Sequence, residues 1–546
     1  MPRGPDLYTP RNPPTYPFAT LFHAAPDQCI PQLLSCLPAM EELFEYLAAL
    51  EKKVNVCALP HVPVEISRSE VERFLFDPKK NVMMCPDMLA LLFSALALGA
   101  QHSVFDKGGG KWDAHVMEAE TRKGNVYIAA AMQALRLASF MHKPSLLGIQ
   151  ALIMIAPYLT NTGRFLEAWT LFGTTIRLAQ GIGLHRHPRY LDPAPPSQRE
   201  CRIRQKIWWH MLHIDEQYSL TLGRPLGISG IGDCPWPREL TTDATMLRFG
   251  EFANHFTVLA RQILSSDRLT NIRIDDFTDA FRGLLDTMPE TLQFDESWSR
   301  RETSIPDWPL SAMAAVYFCK THTYLILLNR QRIEKRPVLP NIPTTKTTLP
   351  SFRPVNRTPS THSSPTTSAK ASLRGRALVL ASSEALLSAF LFCHDREPGA
   401  LIDWTMGQQA LNSCMLLLLD ALESRKGTPG VMKVEQALAV FRELADNNVH
   451  QLAGLAVERI SWCLQELRNM VQQPQGMDAP TRALVQAEAA QIGETTRVPR
   501  TVETVMGNTG MQLLEDLGLQ AFAHEAFAPI AYGIPGGRIP MEATRY

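Results

Sequence analysis

Apolar residues recur at helical spacing through most of the chain. In 37–54, Leu43, Leu47 and Leu50 fall at i, i+4 and i+7, which is one face of a helix. The stretch 85–101, CPDMLALLFSALALGAQ, is apolar nearly all round and predicts a central helix enclosed by others. Helical periodicity continues over 112–141, 145–160, 163–182, 200–222, 244–269, 275–288, 308–335, 372–393, 401–424 and 431–471. The breaks are rich in Gly or Pro: Gly108-Gly109-Gly110, Gly181 with Gly183, the run 189–200, and Gly223-Arg224-Pro225. No series of alternating strands lies between them. The predicted fold class is all-α, a single large multi-helix domain with a disordered insert and loose termini.

Composition divides the chain into five stretches. Residues 1–37 form a Pro-rich tail, and 38–336 hold the first part of the helical domain. Residues 337–372 are dominated by Pro, Ser and Thr without a single Asp or Glu. Such a segment buries too little apolar surface to offset its ordering entropy and is expected to be disordered. Within it, Thr358-Pro359 and Ser364-Pro365 are candidate phosphorylation sites. Residues 373–471 supply the C-terminal helices, and 472–546 form a second tail. In 510–532, Leu513, Leu514, Leu517 and Phe522 mix with Glu515, Asp516 and Glu525. That mixture reads either as an activation segment or as a terminal helix docked on the domain.

Charge and cysteine usage narrow the classes. Lys plus Arg and Asp plus Glu both number 54, so the formal net charge is zero. This argues against nucleic-acid binding by bulk charge, which needs a local cationic surplus. Hydrophobic residues make up 45%, enough for a large core, which excludes disorder throughout. The ten cysteines stand singly, with no C-x2-C pair, so zinc ribbons and thioredoxin-type motifs are excluded. A reducing compartment, cytosol or nucleus, fits. Residues 1–19 have no continuous apolar core, so no secretory signal is expected. The uncharged run between Lys143 and Arg164 is interrupted by Gln150, Pro157, Thr160 and Asn161. It reads as a buried helix, and no membrane association is expected.

Candidate chemistry is sparse. Asp275, Asp276 and Asp279 form a D-D-x-x-D string, which in all-α terpene cyclases and prenyl transferases holds Mg2+ against a diphosphate. The second metal-binding motif of those enzymes is missing, and an acidic helix start is the plainer account. His210, His213 and Asp215 could share a metal, or place one imidazole in solvent and one in the core. Arg199, Arg202, Arg204 and Lys206 could meet an acidic partner or nucleic acid. They could equally be the solvated face of a helix that buries Ile203, Ile207, Trp208 and Met211. There is no nucleophile elbow, dinucleotide fingerprint or P-loop. No catalytic, cofactor-binding or metal-binding residue is assigned, and no cofactor is expected.

One ordered combination is more specific. Ala168, Ile176, Arg177, Ala179, Gly183, Leu184 and His185 are followed by Arg204, Trp208, Trp209 and Asp215, and then by Gly223-Arg224-Pro225. This resembles the middle homology region, the fungal-specific transcription factor domain of the zinc binuclear cluster family. The resemblance extends loosely over 38–470. It implies a regulatory domain in the nucleus, with transcription factor or coregulator partners and homo- or heterodimerisation. It also implies control of a metabolic gene cluster, secondary metabolism included. The family's six-cysteine DNA-binding element has no counterpart among these residues. DNA is therefore expected to be reached only indirectly or through a missing N-terminal segment. Two other readings stay open: a Mg-dependent terpene cyclase or prenyl transferase-like enzyme, and a ligand-sensing or scaffold helical protein. The signature residues Arg177, Gly183, His185, Trp208, Trp209, Asp215, Gly223, Arg224 and Pro225 read as architectural. Gly223 lets a helix stop and Pro225 blocks its continuation. The tryptophans supply packing area, and Arg224 offers a planar fork to Asp215 or Glu167.

Overall fold

The computed structural model describes residues 26–54, 63–191, 197–237, 243–266, 269–300, 302–332, 373–425 and 429–472. Among them the regular structure is helical throughout, as the periodicity predicts. The expected insert 337–372 with Thr358 and Ser364, and the segment 510–532 with Leu513, Leu514, Leu517 and Phe522, lie outside the described residues.

The helices enclose two cores. The first is built from α1 (Pro26–Ser35), α2 (Met40–Ala49), α3 (Arg68–Phe76), α4 (Pro78–Met84), α5 (Pro86–Lys107), α6 (Ala114–Leu137), α7 (Leu146–Asn161), α8 (Phe165–Gly181) and α9 (Gln198–Leu222). The second is built mainly from α10 (Ala244–Leu264), α11 (Asn271–Leu285), α12 (Leu310–Asn329), α13 (Gly375–Arg396), α14 (Trp404–Ser424), α15 (Pro429–Asp446) and α16 (Gln451–Gln472).

Helix α5 explains its own composition. It packs against α2, α6 and α7, so every face needs an apolar surface, and all residues from Met88 to Ala100 are buried. By length and composition α5 and α13 could each cross a bilayer, but both line cores here. The crossing of α2 over α5 is close at Gly99, where a Cβ would fall inside van der Waals contact with the Tyr46 carbonyl. The Tyr46 hydroxyl donates to Glu120 at 2.6 Å, and the Lys107 and Lys123 ammonium groups each reach Glu120 at 3.1 Å. This buried carboxylate thus ties α2, α5 and α6 with its charge answered. Burial, with the two nearby carboxylates Glu120 and Glu42 adding to it, pushes the Tyr46 phenol well above its ordinary pKa.

Two boundaries differ from the sequence pattern. Residues 26–35 do not belong to a loose tail: they form α1, which packs on α4 and α6 with Cys29, Ile30 and Leu33 buried. The single helix expected over 431–471 is two. Asn448 adopts φ 53°, the Asn448 amide reaches Ala445 O at 3.0 Å, and the Val449 amide reaches Leu444 O at 2.9 Å. Those paired bonds are a Schellman stop with Asn in the left-handed position.

The two cores meet along a seam. Phe165 of α8 reaches into the second core, its ring centroid 4.0 Å from that of Trp404, Asn161 Oδ1 accepts from the Trp404 amide at 3.3 Å, and Gln217 donates to Thr405 Oγ1 at 2.9 Å.

Gly99→Ala forces α2 off α5 and is expected to cost about 1–3 kcal/mol, the usual range for overpacking. Gly454→Ala in α16, where nothing lies within 4 Å of a new Cβ, is expected to stabilise by about 0.5–1 kcal/mol through helix propensity. Paired urea unfolding curves check both signs.

Candidate regulatory site

The signature residues gather where α8 ends and the chain runs over α9. Helix α8 stops in a Schellman turn: the Gly183 amide reaches Gln180 O at 3.0 Å and the Leu184 amide reaches Ala179 O at 2.9 Å. Gly183 sits at φ 75°, a conformation that an L side chain resists, and an added Cβ would also strike Leu191. Arg204 of α9 donates to the neighbouring Ile182 carbonyl at 3.0 Å and to Glu200 at 2.8 Å. It therefore caps α8 from across the crossing and is not a free basic patch.

Helix α9 begins at the Ser197 cap and ends at Gly223, which takes the left-handed conformation at φ 61°. The chain then folds back along α9, and the two tryptophans hold it there. Trp208 Nε1 donates to Ile231 O at 2.7 Å, and Trp209 Nε1 donates to Pro235 O at 3.1 Å. His185 joins from the α8 side: its carbonyl accepts from the Asp233 amide at 3.1 Å, and its ring lies 5.9 Å from that of Trp208.

Asp215 is the centre of this clasp. Its carboxylate accepts from the amides of Gly227 at 2.8 Å and Ile228 at 3.0 Å, and from Arg261 Nη1 at 2.8 Å. The Arg261 guanidinium also donates to the carbonyls of Leu212 and Ile228. Both side chains are 6% exposed, so this is a buried ion pair with its remaining hydrogen-bonding capacity taken up by backbone.

The expected partnership of Arg224 is therefore corrected. Asp215 engages Arg261, and Glu167 engages Arg164 of its own helix turn. Arg224 and Pro225 are exposed, with the Arg224 guanidinium 5.7 Å from the centre of the Trp169 ring and its carbonyl accepting from the Ser219 hydroxyl. Arg177 also stays on the surface and donates to Gln180 at 3.0 Å. Of the signature, Gly183, His185, Trp208, Trp209, Asp215 and Gly223 build the clasp directly.

Beside the clasp, α9 carries a second buried polar group. His213 Nε2 lies 2.7 Å from Lys320 Nζ, and His213 Nδ1 lies 3.1 Å from Glu216 Oε1. The Tyr324 hydroxyl donates to the same carboxylate. A neutral imidazole accepting from Lys320 and donating to Glu216 fits these distances. Burial lowers the His213 pKa, the Lys320 charge lowers it further, and Glu216 opposes both. Burial, then the Glu216 carboxylate, pushes Tyr324 well above its ordinary pKa. At the seam, His102, Asn161, Phe165, His210 and Trp404 line a cleft of about 60 Å³.

The metal readings fail on placement. Asp275 and Asp279 lie inside α11, which is capped by Thr270, so they do not start a helix either. Asp275 accepts two bonds from Arg332 at 3.2 Å, and Arg374 pairs with both Asp275 and Asp279. Arginines fill the space a Mg2+ would need. His213 faces Lys320, and Asp215 faces Arg261, so neither joins His210 around a metal. Among the described residues no three His, Cys, Asp or Glu side chains group as metal ligands. Burial pushes the thiols of Cys234, Cys319 and Cys463 up to about 12, which makes them poor nucleophiles and poor ligands.

Arg261, Lys320, Glu216, Arg332 and Arg374 were invisible as functional positions in the sequence. Apart from the His213–Glu216 contact three residues apart, their partners lie dozens of residues away, and the only local signal for Arg261 is its i+4 spacing from Thr257 on a face dominated by Phe249, Phe252 and Phe256.

Residues 74–231 match the family model described as the fungal specific transcription factor domain. The match contains every signature residue from Arg177 to Pro225, and the resemblance drawn from them is borne out over this segment. It stops short of Arg261. Transcription factor yanR of Aspergillus niger is 27% identical over 150 residues, 27% of this chain and 18% of its own length. The agnestins biosynthesis cluster transcription factor AgnL11 of Paecilomyces divaricatus is 26% identical over 223 residues, 40% of this chain and 31% of its own. The equisetin cluster transcription factor eqxF of Fusarium heterosporum is 29% identical over 160 residues, 29% of this chain and 22% of its own. The aligned part thus spans less than a third of each of these relatives.

Arg261→Ala leaves Asp215 buried without its cation and is expected to cost about 3–5 kcal/mol. Arg224→Ala, at an exposed cation–π contact, is expected to cost about 0.5–1 kcal/mol. The double variant Arg261→Ala with Asp215→Ala is expected to lose less than the sum of the single losses. Denaturant unfolding of the four proteins against wild type measures the coupling.

Proposed function

We propose that this chain is a fungal transcription regulator whose helical domain controls a metabolic gene cluster, one of secondary metabolism, from the nucleus and through protein partners. The carrying observation is the match of residues 74–231 to the fungal specific transcription factor domain, a segment that contains the signature residues of the Asp215 clasp. Relatives named for the agnestins and equisetin clusters support the choice of pathway type. The ten cysteines lack the paired spacing of a zinc cluster, so among these residues no such cluster reads DNA. In this reading DNA is reached either indirectly, through a transcription factor or coregulator in a homo- or heterodimer, or through an N-terminal segment outside these residues.

An Mg-dependent enzyme is disfavoured because Arg332 and Arg374 already neutralise Asp275 and Asp279. Fusing the full chain to an unrelated DNA-binding domain is expected to raise or lower a reporter carrying the matching operator. A fluorescent fusion is expected in the nucleus. No change of the reporter in either direction, from a fusion that is expressed and nuclear, sinks the regulator reading.

A further inference from the structure

The charge balance of the whole chain conceals a local surplus. The described residues of 177–191, 197–206 and 226–237 carry seven Lys or Arg against two Asp or Glu, in a protein whose formal net charge is zero. These stretches meet at the outer end of the clasp. Arg204 of α9 donates to the Ile182 carbonyl at the end of α8. The Asp233 amide donates to the His185 carbonyl, and the Asp233 carboxylate accepts from the His187 amide. Each of the seven cationic residues is at most seven positions from Ile182 or Arg204, so its backbone lies within about 25 Å of that contact. One turn of a B-form duplex is about 34 Å long.

Arg177, Arg186, Arg189 and Arg199 are exposed. Arg199, Arg202 and Lys206 fall at i, i+3 and i+7, which is one face of α9. The two acids of the face are already engaged: Glu200 with Arg204, and Asp233 with Arg186 at 3.3 Å. Arg177 donates to the neutral Gln180, and Arg189 lies against His187 and the Tyr190 ring. The face therefore stays positive after its ion pairs are made.

We propose that this face grips the phosphate backbone of duplex DNA without preference for sequence, while a partner protein supplies the base contacts. Six of the seven cations are arginines, whose planar fork matches a phosphate in two-point contact. An acidic amphipathic helix, the other polyanion to consider, lays apolar anchors into an apolar groove. Here no aliphatic side chain of the three described stretches is exposed, and their exposed large apolar groups are the rings of Tyr190 and Trp236. Sequence readout needs an element that enters a groove, but no residue of α9 from Cys201 to Leu222 is exposed. Backbone contacts position a protein on a duplex and base contacts specify where, so the two tasks can be divided between partners. The contact stands on the charge of the face alone; its use in transcription rests on the transcription-regulator reading.

The test titrates a fluorescent random-sequence duplex of about 20 base pairs with the purified full chain, reading anisotropy between about 50 and 200 mM salt. Binding is expected to be weak, to be indifferent to sequence, and to fall with salt at a log–log slope of about −3 to −4, the release expected for about four phosphate contacts. Arg189→Gln and Arg199→Gln are each expected to reduce the slope by about one and to weaken binding equally on every sequence. The triple variant Arg177→Glu, Arg189→Glu, Arg199→Glu is expected to lose about tenfold or more in affinity at the lowest salt. Arg122→Gln on α6 is expected to change neither slope nor affinity. If the triple variant does not fold, the two single Gln variants decide. No binding at the lowest salt, or a slope unaltered in the variants that fold, overturns the proposal. A poly-Glu peptide of equal charge that binds as tightly as the duplex also overturns it, in favour of an acidic protein partner. DNA binding is read without a reporter, so its absence overturns the assignment of this face alone, and a silent reporter overturns only the transcription reading.

Discussion

The Asp215 carboxylate is the constraint on which the middle of the molecule depends. It lies on α9 in the first core, and its cation, Arg261, lies on α10 beside the second. Between them they take up the amides of Gly227 and Ile228 and the carbonyls of Leu212 and Ile228. A loop that crosses buried surface must find partners for its own polar backbone, or it costs more than it contributes. Here one ion pair supplies those partners and fixes the approach of α10 to α9 at the same time. The Trp208 and Trp209 bonds to Ile231 and Pro235 extend the same solution along the loop.

Two further buried carboxylates sit at crossings of helices with their charge answered. Glu120 receives Tyr46, Lys107 and Lys123 where α2, α5 and α6 meet. Glu216 receives Tyr324 and His213, with Lys320 beyond, where α9 meets α12. Leu- and Ala-rich faces such as those of α5 and α14 can slide or rotate against a neighbour at little cost, because apolar packing is not directional. A buried carboxylate removes that freedom: any slip leaves a charge without its partner, at a cost of several kcal/mol.

The helices were legible because their apolar spacing is local. The all-round apolarity of 85–101 already implied an enclosed helix, and Gly183 and Gly223 marked stops that the structure places in the left-handed region. Two further signals are present in the sequence. Asn447-Asn448 is a helix stop as readable as a glycine, and Cys29, Ile30 and Leu33 are spaced for one helix face. The pairings were not legible at all. Asp215 and Arg261 are 46 residues apart, and Asp275 and Arg332 are 57 apart. Nothing in the spacing of D-D-x-x-D distinguishes carboxylates waiting for Mg2+ from carboxylates already held by arginines. Arg224, beside a recognisable Gly-Arg-Pro, was the visible candidate for Asp215, while the true partner lay in another helix with no motif around it.

This division between visible motif and hidden partner bears on what the family likeness means. The clasp residues within the matched segment make bonds to backbone, stop helices or fill the crossing of α8 and α9; none is arranged to recognise a ligand or a base. What the signature specifies is a scaffold. Whatever distinguishes one regulator from another must then lie on surfaces the signature leaves unspecified. Helices α10 to α16, which lie beyond the matched segment, carry such surfaces.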